Sequence, residues 1–342
     1  MFRKALFTSV LGFSLLQSGL YAQTSTSITQ VGTSAAAFLN IQVGARGMAM
    51  GGAFVASAND ASALYWNPAG IARMPKGEAT AMHINWLADT NFDFGAVVIP
   101  LGFGTIGASI TSLTTGDMEV RTVEMPEGTG ELFSANDMAA GLSFAMNLTD
   151  RFSIGFTGKL IRSSIFNESA SSFAIDIGTM FTTELNGMRI GVSLLNLGTN
   201  MKLSGRDLIL LVDPAPLKDG SNDRIVSNLQ TDSFSLPLML RVGVAMDFLK
   251  TENSQLTIAV DGTNPSDGAE GVNFGAEYGW HNSVFLRGGY QSLFVDDSEA
   301  GLTVGGGFHF KLLDESSLKF DYAWADFGRL SNIQRFSIGI EF

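Results

Sequence analysis

The stretch RFSIGIEF alternates Phe336, Ile338, Ile340 and Phe342 with Arg335, Ser337, Gly339 and Glu341. A period of two places each set on one side of an extended strand. The alternation recurs upstream. Leu318, Phe320, Tyr322 and Trp324 oppose Lys319 and Asp321, and Val272, Phe274, Ala276, Tyr278 and Trp280 oppose Asn273, Gly275 and Glu277. Phe152, Ile154, Phe156 and Leu160 oppose Ser153, Thr157 and Lys159, and Leu240, Val242, Val244 and Met246 oppose Arg241 and Asp247. Fourteen such segments are predicted, at about 78–87, 91–101, 103–117, 134–148, 151–163, 170–183, 187–197, 235–249, 254–262, 270–280, 283–292, 301–312, 315–325 and 332–342. Most have the nine to eleven residues, roughly, that a tilted strand needs to cross a bilayer.

The connectors also alternate. PLGFG, NLTDR, ELNG, LKTEN, GWHN and LLDE are short, whereas MEVRTVEMPEGTGELF, SSIFNESAS, residues 198–234, GTNPSDGAE, LFVDDSEA and ADFGRLSNI are longer. The first link, LADTN, is short but falls in the long series. Outer-membrane barrels place short turns in the periplasm and long loops outside, with an even strand number. A soluble sandwich shares the local period but has no reason to alternate its loops. Charges sharpen the picture. Lys159, Asp176, Arg189, Arg241, Asp247, Asp261, Glu277, Arg287, Lys311, Lys319, Asp321, Arg335 and Glu341 all lie opposite the apolar stripe. An Arg or Lys facing lipid at mid-depth costs about 2–4 kcal/mol, so these side chains are expected in a hydrated lumen, paired with one another. Trp86, Tyr278, Trp280 and Trp324, at strand ends, are expected in interfacial girdles.

Composition supports a membrane barrel. Of 342 residues 45% are hydrophobic, 16% are charged and 39 are Gly. Arg3 and Lys4, the apolar run Ala5 to Leu16, and a small residue at Ala22 read as a cleaved export signal over 1–22, too short to span a bilayer. After it no apolar run reaches helix-spanning length, which leaves a closed barrel as the way to cross. The net charge is −12, which excludes the basic face of a nucleic-acid binder. With no Cys, disulfides and thiolate chemistry are excluded as well.

Residues 23–77 do not alternate. They are rich in small residues and carry Gly44, Gly47, Gly51 and Gly52, so short helices and tight turns are expected. A weakly charged segment of this length fits best inside the barrel, as a hatch before the strands of 78–342. Its sequence FLNIQVGARGMAMGGAFVASANDASALYWNPAGIA resembles the N-terminus of the PorV/PorQ family, whose barrels are FadL-like. The motif is Asn67, Pro68, Ala69 and Gly70; many PorV proteins carry Lys where this chain has Gly70, as FadL does. The resemblance implies a fourteen-stranded, all-β barrel with an N-terminal hatch in the outer membrane of a diderm bacterium. It implies a role in type IX secretion, with secretion-machinery proteins or cargo signal domains as partners alongside outer-membrane lipid. The alternative it carries is a FadL-like channel for hydrophobic small molecules.

Other motifs are weaker. GFGTIG, Gly102 to Gly107, matches a dinucleotide fingerprint, but ASITSL follows where a helix is required, so a turn and strand are expected. DGTNPSDGAEG, from Asp261, lacks Ca²⁺-loop spacing and reads as a loop. The three histidines, His83, His281 and His309, form no HExxH, and no GxSxG occurs; no enzyme activity and no cofactor are expected. His83 and His309 are expected in the polar network of the lumen, together with Lys159, Asp176, Arg189, Arg241, Asp247, Glu277, Arg287, Asp321 and Arg335. The apolar run in DLILLVDPAP is expected to fold back over the barrel mouth, because exposed apolar runs are costly; the alternative reading is a contact surface for a ligand or protein.

Overall fold

A computed structural model describes residues 32–215, 217, 224–295, 298–312, 316–330 and 332–342. The predicted leader, the first part of the predicted hatch, and residue 315 of the thirteenth predicted strand lie outside them. Fourteen long antiparallel strands form one sheet. They are β1 (Glu78–Asn85), β2 (Asn91–Leu101), β3 (Gly104–Thr114), β4 (Ala135–Asn147), β5 (Phe152–Ile165), β6 (Glu168–Thr182) and β7 (Arg189–Gly198). They continue as β8 (Met239–Lys250), β9 (Ser254–Pro265), β10 (Gly271–Trp280), β11 (Val284–Leu293), β12 (Leu302–Lys311), β13 (Ser317–Asp326) and β14 (Asn332–Glu341). Each pairs with the next, and β1 returns to β14, from Glu78 opposite Glu341 to His83 opposite Phe336. Closure removes the sheet edges that lipid could not hydrogen-bond. GFGTIG forms the turn into β3 and its first residues.

On most strands the apolar set faces outward, as at Leu142, Leu160, Leu286 and Phe336, which are all well exposed. The polar set faces in. The first two strands reverse this. Met82, Ile84, Phe92, Phe94, Ala96 and Val98 are buried on the lumen side, where they join the core. The reason lies in what they meet. Residues 32–77 run through the lumen, and their side facing β1 and β2 is apolar. Val43, Ala45, Met48, Phe54, Ala63, Leu64 and Trp66 all lie in the same core cluster. The main core of this barrel is therefore the contact between the wall and the chain inside it.

Two structures rise above the outer ends of the strands. Ile209–Val212 pairs antiparallel with Ile225–Asn228, and Met118–Glu119 pairs with Leu132–Phe133. Both belong to long connectors. Ser204–Gly205 adds a short strand to the outer end of β6, beyond the point where β7 leaves it.

Candidate functional site: the hatch and its seat

The internal chain enters near the long loops, where Ala35 N–H donates to Ser235 O and Asn40 bonds to Asp267. It leaves among the short turns, where Gly77 exchanges backbone hydrogen bonds with Phe342. Between them lie α1 (Ala45–Ala49), α2 (Ala63–Trp66) and a 3₁₀ helix, Pro68–Arg73. Gly51 and Gly52 turn the chain after α1 with φ of 64° and 74°, a region that L side chains rarely adopt. Trp66 donates from Nε1 to Val43 O at 2.8 Å and so ties the two halves of the hatch.

Asn67 caps the 3₁₀ helix: its Oδ1 accepts from Ala69 N–H at 3.1 Å, and Pro68 occupies the first helical position, where no N–H is missed. Its Nδ2 donates to Val55 O within the hatch and to Thr179 O of β6, both at 3.0 Å. One amide thus caps a helix, braces the hatch and fastens it to the wall. Pro68, Ala69 and Gly70 are buried beside it, and a Cβ on Gly70 would overlap Ala58 O.

The wall is shaped to receive this backbone. Gly155 and Gly178 stand opposite each other on β5 and β6; a Cβ on Gly155 would overlap the Pro68 carbonyl and Ala69 N, and one on Gly178 would overlap Asn67 Oδ1 and Pro68 Cδ. Gly275 and Gly289, likewise opposite each other on β10 and β11, do the same for Met50 and Gly51. Gly191 receives Val55 and Gly305 receives Ala49. Where one inward position of the ring carries a side chain, it bonds to the hatch backbone. Asp261 Oδ2 of β9 accepts from Phe54 N–H at 2.7 Å and Val55 N–H at 2.8 Å. These seats were not singled out in the sequence, although glycine at the lumen parity of successive strands was a signal that could have found them.

The charged lumen residues fall into separate clusters. Lys159 pairs with Asp176 at 2.9 Å, and Arg189 with Asp247 at 2.9 Å. Arg287 lies 2.6 Å from Glu277 and 2.5 Å from Asp321. Glu277 also holds Arg46 of α1 at 2.8 Å, and Arg46 reaches Asp60 at 3.0 Å, so this cluster spans hatch and wall. Lys319 bridges to Glu78 at 2.7 Å. Arg241 and Arg335 have no salt bridge among the described residues. Arg241 lies over Trp66 and Tyr65, with centroid distances of 4.8 and 5.1 Å. Arg335, 1% exposed, donates to Gln42 O and lies over Trp86. Arg46, Asp60 and Glu78 were missed because each lies outside the alternating strand pattern or at its first residue.

Three expectations are corrected. His83 faces outward, 2.7 Å from Asp93, because β1 turns its apolar set toward the hatch. Trp86 does not belong to a girdle: it packs on Phe327 and under Arg335 at the outer end of the core. Ile209–Val212 does not fold back onto the mouth; it pairs as a hairpin with all four side chains exposed, Leu211 at 63%. Hairpin pairing satisfies the backbone without covering the side chains. His309 lies on the lumen side of β12, against Phe285.

A closed barrel of fourteen strands around an N-terminal hatch is the architecture of FadL-like outer-membrane proteins. The chain is similar to the Pseudomonas putida toluene transporter TodX, with TM-score 0.54 and 14% identity over 87% of this chain and 97% of that one. The Ralstonia pickettii toluene transporter TbuX gives TM-score 0.53 and 14% identity, covering 87% of this chain and 97% of the other. A Pseudomonas aeruginosa FadL homologue gives 0.50 and 12%, covering 86% and 96%. No protein of curated function matches by sequence. The sequence profile of the type IX secretion system protein PorV matches residues 24–207, and the chain belongs to that family. It is an outer-membrane β-barrel of a Gram-negative bacterium.

Proposed function

We propose that this barrel serves type IX secretion as a plugged, protein-binding barrel, engaging secreted cargo or secretion components through its extracellular loops. The observation that carries this reading is the seat of the hatch. Its backbone lies directly on inward glycines of five strands and is held by Asn67, Asp261 and Glu277. A plug fastened on several sides favours work at the outer surface over passage through the lumen. The exposed hairpin at Ile209–Val212 offers a contact surface of the kind that marks interaction sites. In this reading the barrel carries no catalytic step.

The test is affinity capture of the tagged full-length protein from native membranes, compared with an Ile209→Asp/Leu211→Asp variant. Secretion components or cargo signal domains should co-purify with the native protein and be depleted with the variant. Their absence from both, together with barrel-dependent uptake of a hydrophobic small molecule, would replace this reading with transport.

A further inference from the structure

On the side of the short turns the lumen opens as a vestibule of about 680 Å³ whose inner end is the hatch. This volume is in the range of small-molecule sites. The protein is acidic overall, yet among the described residues the vestibule is lined by five cationic and three anionic side chains. Arg46, Arg189 and Lys319 have carboxylate partners. Arg73, at the end of the hatch, has none among its hydrogen bonds: it donates to Ser153 Oγ, to Thr182 Oγ1 and to Arg151 O. Thr182 stands opposite Arg189 in the β6–β7 ladder, so Arg73 and Arg189 share one patch of wall. Burial, and after it the Arg189 cation, lower the Arg73 guanidinium below its usual value.

Donors at this patch are left over. Arg189 Nε has no hydrogen-bond partner among the described residues, since its terminal nitrogens hold Asp247. Ser57 Oγ of the hatch, on a residue 7% exposed, also has none. Both residues line the vestibule. Arg73 therefore brings a guanidinium that no carboxylate among its hydrogen-bond partners balances, beside the spare Nε–H of Arg189 and the spare O–H of Ser57. Guanidinium donors match the planar or tetrahedral oxygens of carboxylate and phosphate.

We propose that the vestibule binds a small oxyanion, a phosphate or carboxylate group, presented from the periplasm between Arg73, Arg189 and Ser57. The site is distinct from the extracellular surface and does not depend on the reading above. The test is calorimetric titration of the full-length barrel in detergent micelles with inorganic phosphate and, separately, with succinate. At least one should bind, and which of them does so identifies the source of the anion. Arg73→Gln and Ser57→Ala should each weaken binding, Arg73→Gln by about tenfold. Arg206→Gln, an exposed cation of the outer loop, should leave it unchanged. Ser57→Ala leaves every described ion pair in place, so it reports even if an Arg73 variant does not fold. Absence of binding by both anions, native affinity in both Ser57→Ala and Arg73→Gln, or equal weakening by Arg206→Gln would overturn the proposal.

Discussion

Replacing Asn67 with Ala tests the fastening of the hatch most directly. The residue is 0% exposed, and its amide makes three hydrogen bonds. Alanine removes all three. Thr179 lies in the ladders to both β5 and β7, so its carbonyl keeps a neighbour strand. Val55 O and Ala69 N–H have no such reserve and become two buried, unpartnered backbone groups. Each costs about 1–3 kcal/mol. A water entering the space of the lost amide would offset part of this, so a total loss of roughly 3 kcal/mol is expected. Asn67→Asp should be worse than Ala. It keeps the bond from Ala69 but sets a carboxylate against two carbonyl oxygens in a dry seat. The assay is urea unfolding of the refolded barrel in detergent, followed by Trp fluorescence, with stability taken from the midpoint and slope. Planar-bilayer conductance gives a second readout: loosening this end of the hatch, most of all in Asn67→Ala/Pro68→Ala, should raise leak to small ions. A native midpoint for Asn67→Ala, or an Asp variant more stable than the Ala variant, would refute this account of the motif.

Two further outcomes are expected. Gly178→Val should fail to reach the heat-modifiable, folded form on a gel, because its Cβ would overlap Asn67 Oδ1, whereas Gly102→Val, in open space at a turn, should fold normally; equal folding of both would count against the glycine seat. Glu299 in the outer loops accepts from Arg329, and that bond holds its carboxyl below the usual range. A depressed carboxylate stabilises only while ionised, so this loop contact should persist above the ordinary Glu value and be lost as pH falls through the lowered one. The protection factor at Arg329 N–H, which is the exchange rate normalised to the intrinsic rate at each pH, should therefore fall in acid and be insensitive to the same change in Glu299→Gln; a pH-independent protection factor in the native protein would refute it.

Much of the molecule was legible in the chain. Strand number and the lipid-facing stripe follow from one period of two, because a barrel exposed to lipid must sort its side chains by parity along its strands. Connector length was a separate and weaker signal: SSIFNESAS read as a longer link, yet only Phe166 and Asn167 separate β5 from β6, because both strands extend into it. The resemblance of the Asn67–Gly70 region likewise pointed to the family. The contents of the lumen were not legible in the same way. Parity says which side a residue faces, not what it meets there. On β1 and β2 the apolar side of the hatch inverted the rule and turned His83 outward, and only the packed structure could decide that. Arg241 and Arg335 were expected among carboxylates but rest on aromatic rings, because their neighbours come from the hatch and from a loop end distant in sequence. The inward glycines were visible as letters. Their role as seats required the hatch backbone to be placed against them, since a missing Cβ has meaning only when another chain occupies its space. Local periodicity therefore determined the barrel, and contacts between residues far apart in the chain decided how it is plugged.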